Sequence, residues 1–437
     1  LLVPIFAFTH NAVDLSVHLA LSLLALLNVL TVLPMYRVLK YLLDDEAALV
    51  AAIAWLFNPW VVAITMLGVE SAVYVLLFAW TVERYVRWRM DRSERRQLIV
   101  VGILAGLTVL ARSDAIFLLA AISVDVIILS WNKTLVRDMM AWWIPCGLVL
   151  VPWFSWNMTV FGTIMQTSGT AILYRGQLAF VPYSNPLEII FINTFALTMF
   201  QGFLFLAVIL VSSVILWRHR TAQIKNGQLG LRSLGFLGIY ACLWFCFYVW
   251  YFRHFQLWYF FPILFITTLG VGYLYAYWKT FQVRSSRLLL PSTLIFFIMT
   301  FALSGWFWYA NAIGLYLAQG NGYTIARWVS ENTEPQARIG AWNSGVIGYF
   351  STRTVVNLDG VVNNELYQYV SNRHGTFSLR DLRDYVFQKQ ITYITDYESL
   401  CDESAFKDVD WIQSVFEFPS LYGNCRVRVY RVINDDN

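Results

Sequence analysis

The sequence is short of charge. Asp, Glu, Lys and Arg make up 13% of its 437 residues, about half of the roughly 25% that a soluble domain carries. Hydrophobic residues take 58%. That balance excludes a single water-soluble globule, a disordered chain, a coiled coil and a nucleic-acid binder. Cysteine is scarce as well, five in all, and no doubled C-x-x-C offers metal-ligand spacing. No G-x-G-x-x-G follows a strand pattern, so a dinucleotide fingerprint is absent. The chain opens on Leu1-Leu2 with neither Met nor a basic leader, so it reads as cut at the N-terminus and without a signal peptide.

What charge there is lies unevenly. Residues 1–310 hold 20 Lys and Arg against 12 Asp and Glu, a net of +8; residues 311–437 hold 11 against 15, a net of −4. A membrane part followed by a water-soluble part is expected. An apolar run near 20 residues crosses the hydrocarbon core as a helix, because lipid leaves the backbone no other hydrogen-bond partners. Such runs occur at 15–36, 47–66, 69–83, 97–111, 115–130, 140–156, 191–217, 233–252, 258–278 and 288–310. The short one, 69–83, is expected to continue into the charged stretch behind it. The fold class expected is a polytopic α-helical membrane protein of about ten transmembrane helices (1–310) with a C-terminal extracytoplasmic α/β domain (311–437).

Orientation follows from the connections. One alternate set holds 17 of the 20 cations of the first part, among them Arg37, Arg84, Arg87, Arg92, Arg95 and Arg96. The positive-inside bias makes that set cytoplasmic. The opposite set holds only Arg112, Arg175 and Arg253, and it shares its side with the tail. The protein is thus expected in the plasma (cytoplasmic) membrane, multi-pass, with its tail outside. One outer connection, 157–190, is long and rich in Thr, Tyr and Phe, which suits an ordered loop at the interface. In the tail, period and turn signals predict helices over 323–330, 364–371 and 378–389, and strands over 337–342, 354–358, 391–395, 411–416 and 426–432. Cys146, Cys242 and Cys246 lie in apolar runs and read as packing residues. Cys401 and Cys425 lie in the tail and are a disulfide candidate if that tail is outside, free thiols if it is inside.

Ionisable groups at a membrane face are costly and often functional. Glu70, in Gly68-Val69-Glu70-Ser71-Ala72, opens a helix at its outer end, where the helix dipole favours a carboxylate; it reads either as a capping acid or as a group that orders a sugar hydroxyl. Arg112-Ser113-Asp114 joins two helices on the same side. The pair either pins the turn or presents a planar fork to a phosphate. Arg253-His254 stands among aromatics in 251–260; an interface belt explains the Trp and Tyr there but not Arg253, which fits phosphate binding. His254 and Arg175 accompany it on the outer side. Asp359, in Asn357-Leu358-Asp359-Gly360, fits a structural turn better than a site. Asp125 reads as a satisfied polar residue, and Asn157-Met158-Thr159 as a sequon too short to carry weight.

Taken in order, these segments resemble the GT-C class of membrane glycosyltransferases that use polyprenyl-phosphate sugars, the protein mannosyltransferase and lipid A aminoarabinose transferase group. The carriers are 68–72, then Gly102-Ile103-Leu104-Ala105-Gly106-Leu107 running into Ala111-Arg112-Ser113-Asp114, then Phe161-Gly162, the 253–259 stretch, and in the tail 326–328, 339–345 and 357–363. The resemblance implies transfer of a sugar from a polyprenyl-phosphate donor to a hydroxyl of a glycan, lipid or protein acceptor. Arg253 and Arg112 would stabilise the leaving phosphate, with Glu70, Asp114, His254, Arg175 and Asp359 as further substrate-binding candidates. Some relatives use a divalent metal. The family's general-base carboxylate lies in a first outer loop that would precede Leu1, so no residue here is assigned that role.

Other readings stand beside it. A transporter of lipid-linked sugars would show repeated halves, and none is visible. An oligosaccharide polymerase or ligase shares the donor but places its large outer loop mid-chain. A non-catalytic scaffold is the third.

Overall fold

Phe57-Asn58 is where the first apolar stretches bend, and local chemistry explains it. In the computed structural model, Asp44 caps the helix Asp45–Leu56 by accepting from the Ala47 N–H at 2.8 Å. Asn58 then caps Pro59–Met66, accepting from the Trp60 N–H at 3.0 Å, with Pro59 in the first turn, where its missing N–H costs nothing. The two helices meet at 48°. The residues described are 2–9, 13–131, 134–164, 232–248, 256–281, 317–373, 377–396, 409–420 and 426–433, with a few single positions between.

The chain divides into two compact units, Leu1–Phe161 with Pro186–Ala310, and Gly162–Asn185 with Asn311–Asn437. The first is helical. Its described helices are α1 (Val3–Phe8), α2 (Val13–Leu30), α3 (Val32–Leu42), α4 (Asp45–Leu56), α5 (Pro59–Met66), α6 (Ser71–Met90), α7 (Arg96–Ala111), α8 (Ile116–Ser130), α9 (Leu135–Phe161), α10 (Gly235–Cys246) and α11 (Phe261–Phe281). Four segments among the described residues are long and apolar enough to cross a membrane, five if α4 and α5 form one bent span. The ten expected are therefore seen in part: 191–217 lies outside the described residues, and so does nearly all of 288–310. The short run at 69–83 does continue into the charged stretch, as α6.

Three buried polar side chains of this unit show how such groups are paired where water is absent. Asn28 donates to Thr65 Oγ1 at 2.9 Å and accepts from the Trp55 indole at 3.0 Å. Asp125 accepts from Tyr85 Oη at 2.6 Å and pairs with Arg89 at 3.0 Å, so it is the satisfied polar residue expected. Asp138 is shared by Arg92, Arg95, Ser130 and Thr134. Close helix contact depends on two glycines. A Cβ on Gly102 would lie 2.2 Å from the Trp142 carbonyl oxygen on α9, and one on Gly106 would lie 2.9 Å from the Val149 Cβ. This is the small-xxx-small geometry that lets two backbones approach in lipid. Of the three cysteines expected to pack, only Cys146 is buried; Cys242 and Cys246 lie on the exposed face of α10, since an apolar run does not say which face turns inward. Asn157 is buried within α9, so its sequon has no accessible acceptor.

The second unit is a mixed α/β fold, with helices α12 (Leu317–Asn332), α13 (Ser344–Phe350), α14 (Asn364–Ser371) and α15 (Leu379–Gln388) and strands β1 (Arg338–Ala341), β2 (Thr354–Asn357), β3 (Tyr393–Asp396), β4 (Ile412–Pro419) and β5 (Arg426–Val432). The sheet order is β2-β1-β3-β5-β4, with β1 parallel to β2 and β3 and the remaining pairs antiparallel. Two cores form on its faces. One gathers Trp342, Leu358, Leu366, Leu382 and Ile394 beneath α14 and α15; the other gathers Ile325, Val329, Ile339, Ile347 and Val429 beneath α12 and α13. Cys401 and Cys425 lie outside the described residues.

Helix α15 starts on a capping box. Ser378 accepts from the Asp381 N–H at 3.2 Å, and Asp381 accepts from the Ser378 N–H at 2.8 Å. Burial pushes the Asp381 carboxyl up. Hydrogen bonds from Ser378 and Tyr369 and the nearby Arg373 guanidinium outweigh that and hold it at about 2, below the ordinary Asp value of about 3.9. A depressed carboxyl contributes stability that is complete above the unfolded value and is lost as pH falls through the folded one. Amide-exchange protection of α15 is therefore expected to fall between about pH 4 and pH 2. Ser378→Ala is expected to remove about 1 kcal/mol of that protection at neutral pH and to flatten its acid dependence. An unchanged acid profile in the variant would take the box out of this role.

Candidate functional site

Glu70 is placed by the turn before it. Gly68 adopts φ +74°, a left-handed conformation that side chains disfavour, and it reverses the chain between α5 and α6. Glu70 then occupies the N-cap position of α6, yet its side chain makes no capping hydrogen bond. The carboxylate turns instead to Arg112, whose Nη1 donates to Glu70 Oε1 at 2.5 Å across 42 residues of sequence.

Arg112 ends α7 in an extended conformation, φ −152° and ψ 131°, before a short 3-10 turn Ser113–Ala115 leads into α8. That break turns its side chain inward. Nε and Nη2 donate to Asp114 Oδ1 and Oδ2 at 3.1 and 3.3 Å, a two-pronged pair. Tyr248, just past α10, donates its hydroxyl to Asp114 Oδ2 at 2.7 Å. The guanidinium also sits 5.0 Å from the Tyr259 ring centre and 5.7 Å from that of Tyr74. Tyr248 stacks on Tyr259 at 4.9 Å, and Tyr74 meets Tyr240 hydroxyl to hydroxyl at 3.3 Å. The side chains of Arg112 and Asp114 are only 10% and 8% exposed, whereas Glu70 is 49% exposed.

Glu70 and the Arg112–Asp114 pair, singled out separately in the sequence, thus form one cluster. It lies at the start of α6 and the end of α7, opposite the end where 91–96 carries Arg92, Arg95 and Arg96. Two carboxylates face one guanidinium, a formal surplus of one negative charge. Asp114 is pinned from both sides, and Arg112 spends three of its donors on carboxylates. Glu70 keeps one oxygen, Oε2, without a partner among the described residues, and that half of the carboxylate is accessible. The arrangement presents an oriented acceptor for a hydroxyl beside a ring-lined cation. No group of three His, Cys, Asp or Glu side chains gathers among the described residues, and two carboxylates tied to one guanidinium do not make a ligand set for a divalent ion.

Tyr248, Tyr74 and Tyr259 were not anticipated as partners. All three read as ordinary aromatics of apolar runs; the nearest signal was the proximity of Tyr259 to Arg253. Asp359 lies in the second unit, where it accepts from the Val361 N–H at 2.8 Å in a tight turn with Gly360 at φ +74°, a structural arrangement. Arg175, Arg253 and His254 lie outside the described residues.

A family model described as dolichyl-phosphate-mannose-protein mannosyltransferase matches residues 8–156, and one described as a domain of unknown function (DUF8728) matches residues 311–431. No curated protein sequence matches the chain. Among solved structures, ArnT from Cupriavidus metallidurans bound to undecaprenyl phosphate superposes with a TM-score of 0.58 at 12% identity, over 99% of this chain and 86% of that one. The apo form of the same ArnT gives 0.55 at 12%, over 96% and 84%. The Archaeoglobus fulgidus oligosaccharyltransferase in complex with Zn and sulfate gives 0.51 at 13%, over 97% and 63%. At such identities the likeness is one of fold. The fold is thus similar to that of ArnT, with four or five candidate membrane-crossing segments among the described residues.

Proposed function

We propose, from the GT-C glycosyltransferase-like fold, that the chain moves a sugar from a polyprenyl-phosphate donor to a hydroxyl of a glycan, lipid or protein acceptor. The reaction takes place on the outer side of the plasma membrane, with residues 1–310 as the transmembrane domain and 311–437 as an extracytoplasmic domain. The observation that carries the reading is the joining of Glu70, Arg112 and Asp114 at the end of the helices away from the Lys- and Arg-rich connections. The undecaprenyl phosphate bound to the ArnT of similar fold supports the donor class.

In the reaction the acceptor oxygen bonds to the anomeric carbon as the bond from that carbon to the phosphate oxygen breaks. The hydroxyl proton goes to a base that we do not place on any residue of this chain. Glu70 Oε2 accepts from a sugar hydroxyl and fixes its orientation. Arg112 serves as counter-charge and clamp for the two carboxylates. Its guanidinium is already outnumbered by anions, so we assign the leaving phosphate to Arg253 and not to Arg112.

The test is transfer from polyprenyl-phosphate sugars by the full-length protein reconstituted in proteoliposomes. Glu70→Gln and Arg253→Ala are each expected to lower turnover about 100-fold without changing membrane insertion. Unchanged turnover in both variants, or accessibility tags that put 311–437 in the cytosol, would sink this reading.

A further inference from the structure

The basic end of the helical unit holds a second charged arrangement, apart from the Glu70 cluster. On α3, Leu33, Arg37 and Tyr41 follow one another at four-residue spacing and are all exposed, so they form one outward stripe. On the neighbouring α6, Trp80 and Arg84 have the same spacing. The guanidinium of Arg37 sits 5.1 Å from the Trp80 ring centre, and that of Arg84 sits 5.6 Å from it. Two cations from two helices therefore approach one indole.

Their charge balance is uneven. Glu83 is buried and is shared by Arg84, at 3.2 Å, and Arg87. Arg84 also approaches Gln97 Oε1 at 3.5 Å. Arg37 has no carboxylate within ion-pair distance among the described residues. Arg37, Arg84 and Arg87 together thus have one paired carboxylate among the described residues, a surplus of two positive charges. Other cations on this end are matched differently: Lys40 pairs with Asp45 at 2.8 Å, and Lys279 with Asp44 and Glu46 at 3.4 and 2.8 Å.

The depth fits as well. Apolar residues fill α6 up to Val82 apart from Ser71 and Thr81, and charge begins at Glu83, so Trp80 lies where aromatic residues sit at a membrane interface. Leu33 lies on the hydrocarbon side of Arg37 along the exposed stripe. An acyl chain can follow Leu33 while its phosphate meets the guanidiniums, which reach toward the headgroup layer.

We propose that Arg37 and Arg84, flanking Trp80 between α3 and α6, hold the phosphate of an anionic phospholipid in the leaflet on the basic side of the protein. Basic sites between transmembrane helices recognise lipid headgroups in this way. The planar guanidinium suits two-pronged bonding to phosphate oxygens.

The test reads bound lipid on the full chain by native mass spectrometry, after equilibration with mixed vesicles of phosphatidylglycerol and phosphatidylcholine. Phosphatidylglycerol is expected to be retained in preference. Arg37→Gln and Arg84→Gln are each expected to weaken its retention about fivefold, the equivalent of about 1 kcal/mol per basic side chain. Lys40→Gln, which removes a cation already paired with Asp45, is expected to leave retention unchanged. Arg37 is exposed on the helix surface, so Arg37→Gln carries the test if Arg84→Gln fails to fold. Equal retention of the two lipids, or full retention in Arg37→Gln, overturns the proposal. Displacement of the lipid by millimolar inorganic phosphate would overturn it too, marking a free-phosphate site instead.

Discussion

Arg112→Ala is expected to destabilise the helical unit by about 3–5 kcal/mol, the cost of leaving a buried carboxylate without its partner, and to abolish sugar transfer. Asp114 is almost wholly buried and, among the described residues, keeps only the Tyr248 hydroxyl once the guanidinium is gone. Glu70, half exposed, is free to swing toward water. The two consequences separate by design. Asp114→Asn combined with Arg112→Ala removes the orphaned charge and is expected to recover much of the stability, because the buried anion and not the missing cation carries most of the penalty. It is not expected to recover turnover, since Glu70 is still unheld. Thermal midpoints of the two variants in one detergent, read beside turnover, check this. If the double variant is as unstable as the single one, Asp114 is not the charge that Arg112 neutralises. If the single variant keeps full turnover, the clamp has no part in positioning Glu70.

Arg112→Lys makes the geometry specific. Lysine keeps the charge but has no planar fork, so it can hold one carboxylate oxygen at a time where Arg112 reaches Asp114 through two nitrogens and Glu70 through a third. Stability close to the parent with reduced turnover is the pattern that a positioning role produces.

The sequence shows why the members of this cluster could be picked out but not assembled. Cations are so rare on one alternate set of connections that Arg112 stands out by position alone, and an acid at the start of an apolar run draws notice in the same way. Nothing in that pattern says that Glu70 and Arg112, 42 residues apart, meet. Their meeting depends on α6 and α7 running antiparallel with the left-handed Gly68 turn setting the start of α6. Tyr248 was less visible still, because a tyrosine near the end of an apolar helix is ordinary at an interface; only the Asp114 carboxylate facing it makes it distinctive. In the tail the alternation of apolar residues reveals the strands and amphipathic helices, though helix α12 begins before 323 and strand β4 runs past 416. Helix α13 is not among the helices that the sequence predicts, since Gly345 and Gly348 lower its local helix propensity. Ile347 decides the matter by joining Ile325 and Val329 in the core, a tertiary contact that local propensity does not contain. In α6 the sequence counts Arg84 and Arg87 among the cytoplasmic cations, yet Glu83 beside them is buried and pairs with both.

The glycines of α7 give the second large effect. Gly102→Ala is expected to lower stability by about 1–3 kcal/mol or more, the usual range for overpacking. The upper end is expected here because the clash is with backbone. A methyl group at Gly102 would lie 2.2 Å from the Trp142 carbonyl oxygen and 3.2 Å from the Cys146 nitrogen, and neither atom can rotate away as a side chain can. Relief requires α7 and α9 to separate, which gives up the packing along both helices, and lipid offers no hydrophobic compensation for parting them. Gly106→Ala meets the Val149 Cβ at 2.9 Å and the Cys146 carbonyl oxygen at 3.1 Å and is expected to cost less, since both approaches are much looser than the 2.2 Å at Gly102. Gly147→Ala is the matched control on α9 itself: nothing lies within 4 Å of the position its methyl would take, so the same helix pair receives the same substitution without a clash, and alanine's better helix propensity favours a slight gain. The expected order of thermal midpoints is Gly147→Ala at or above the parent, then Gly106→Ala, then Gly102→Ala. Because Arg112 sits directly after α7, a shift of that helix also moves the guanidinium away from Glu70. Gly102→Ala is therefore expected to reduce turnover even in the fraction that stays folded. Equal midpoints for all three variants would mean that α7 and α9 do not approach this closely in the membrane.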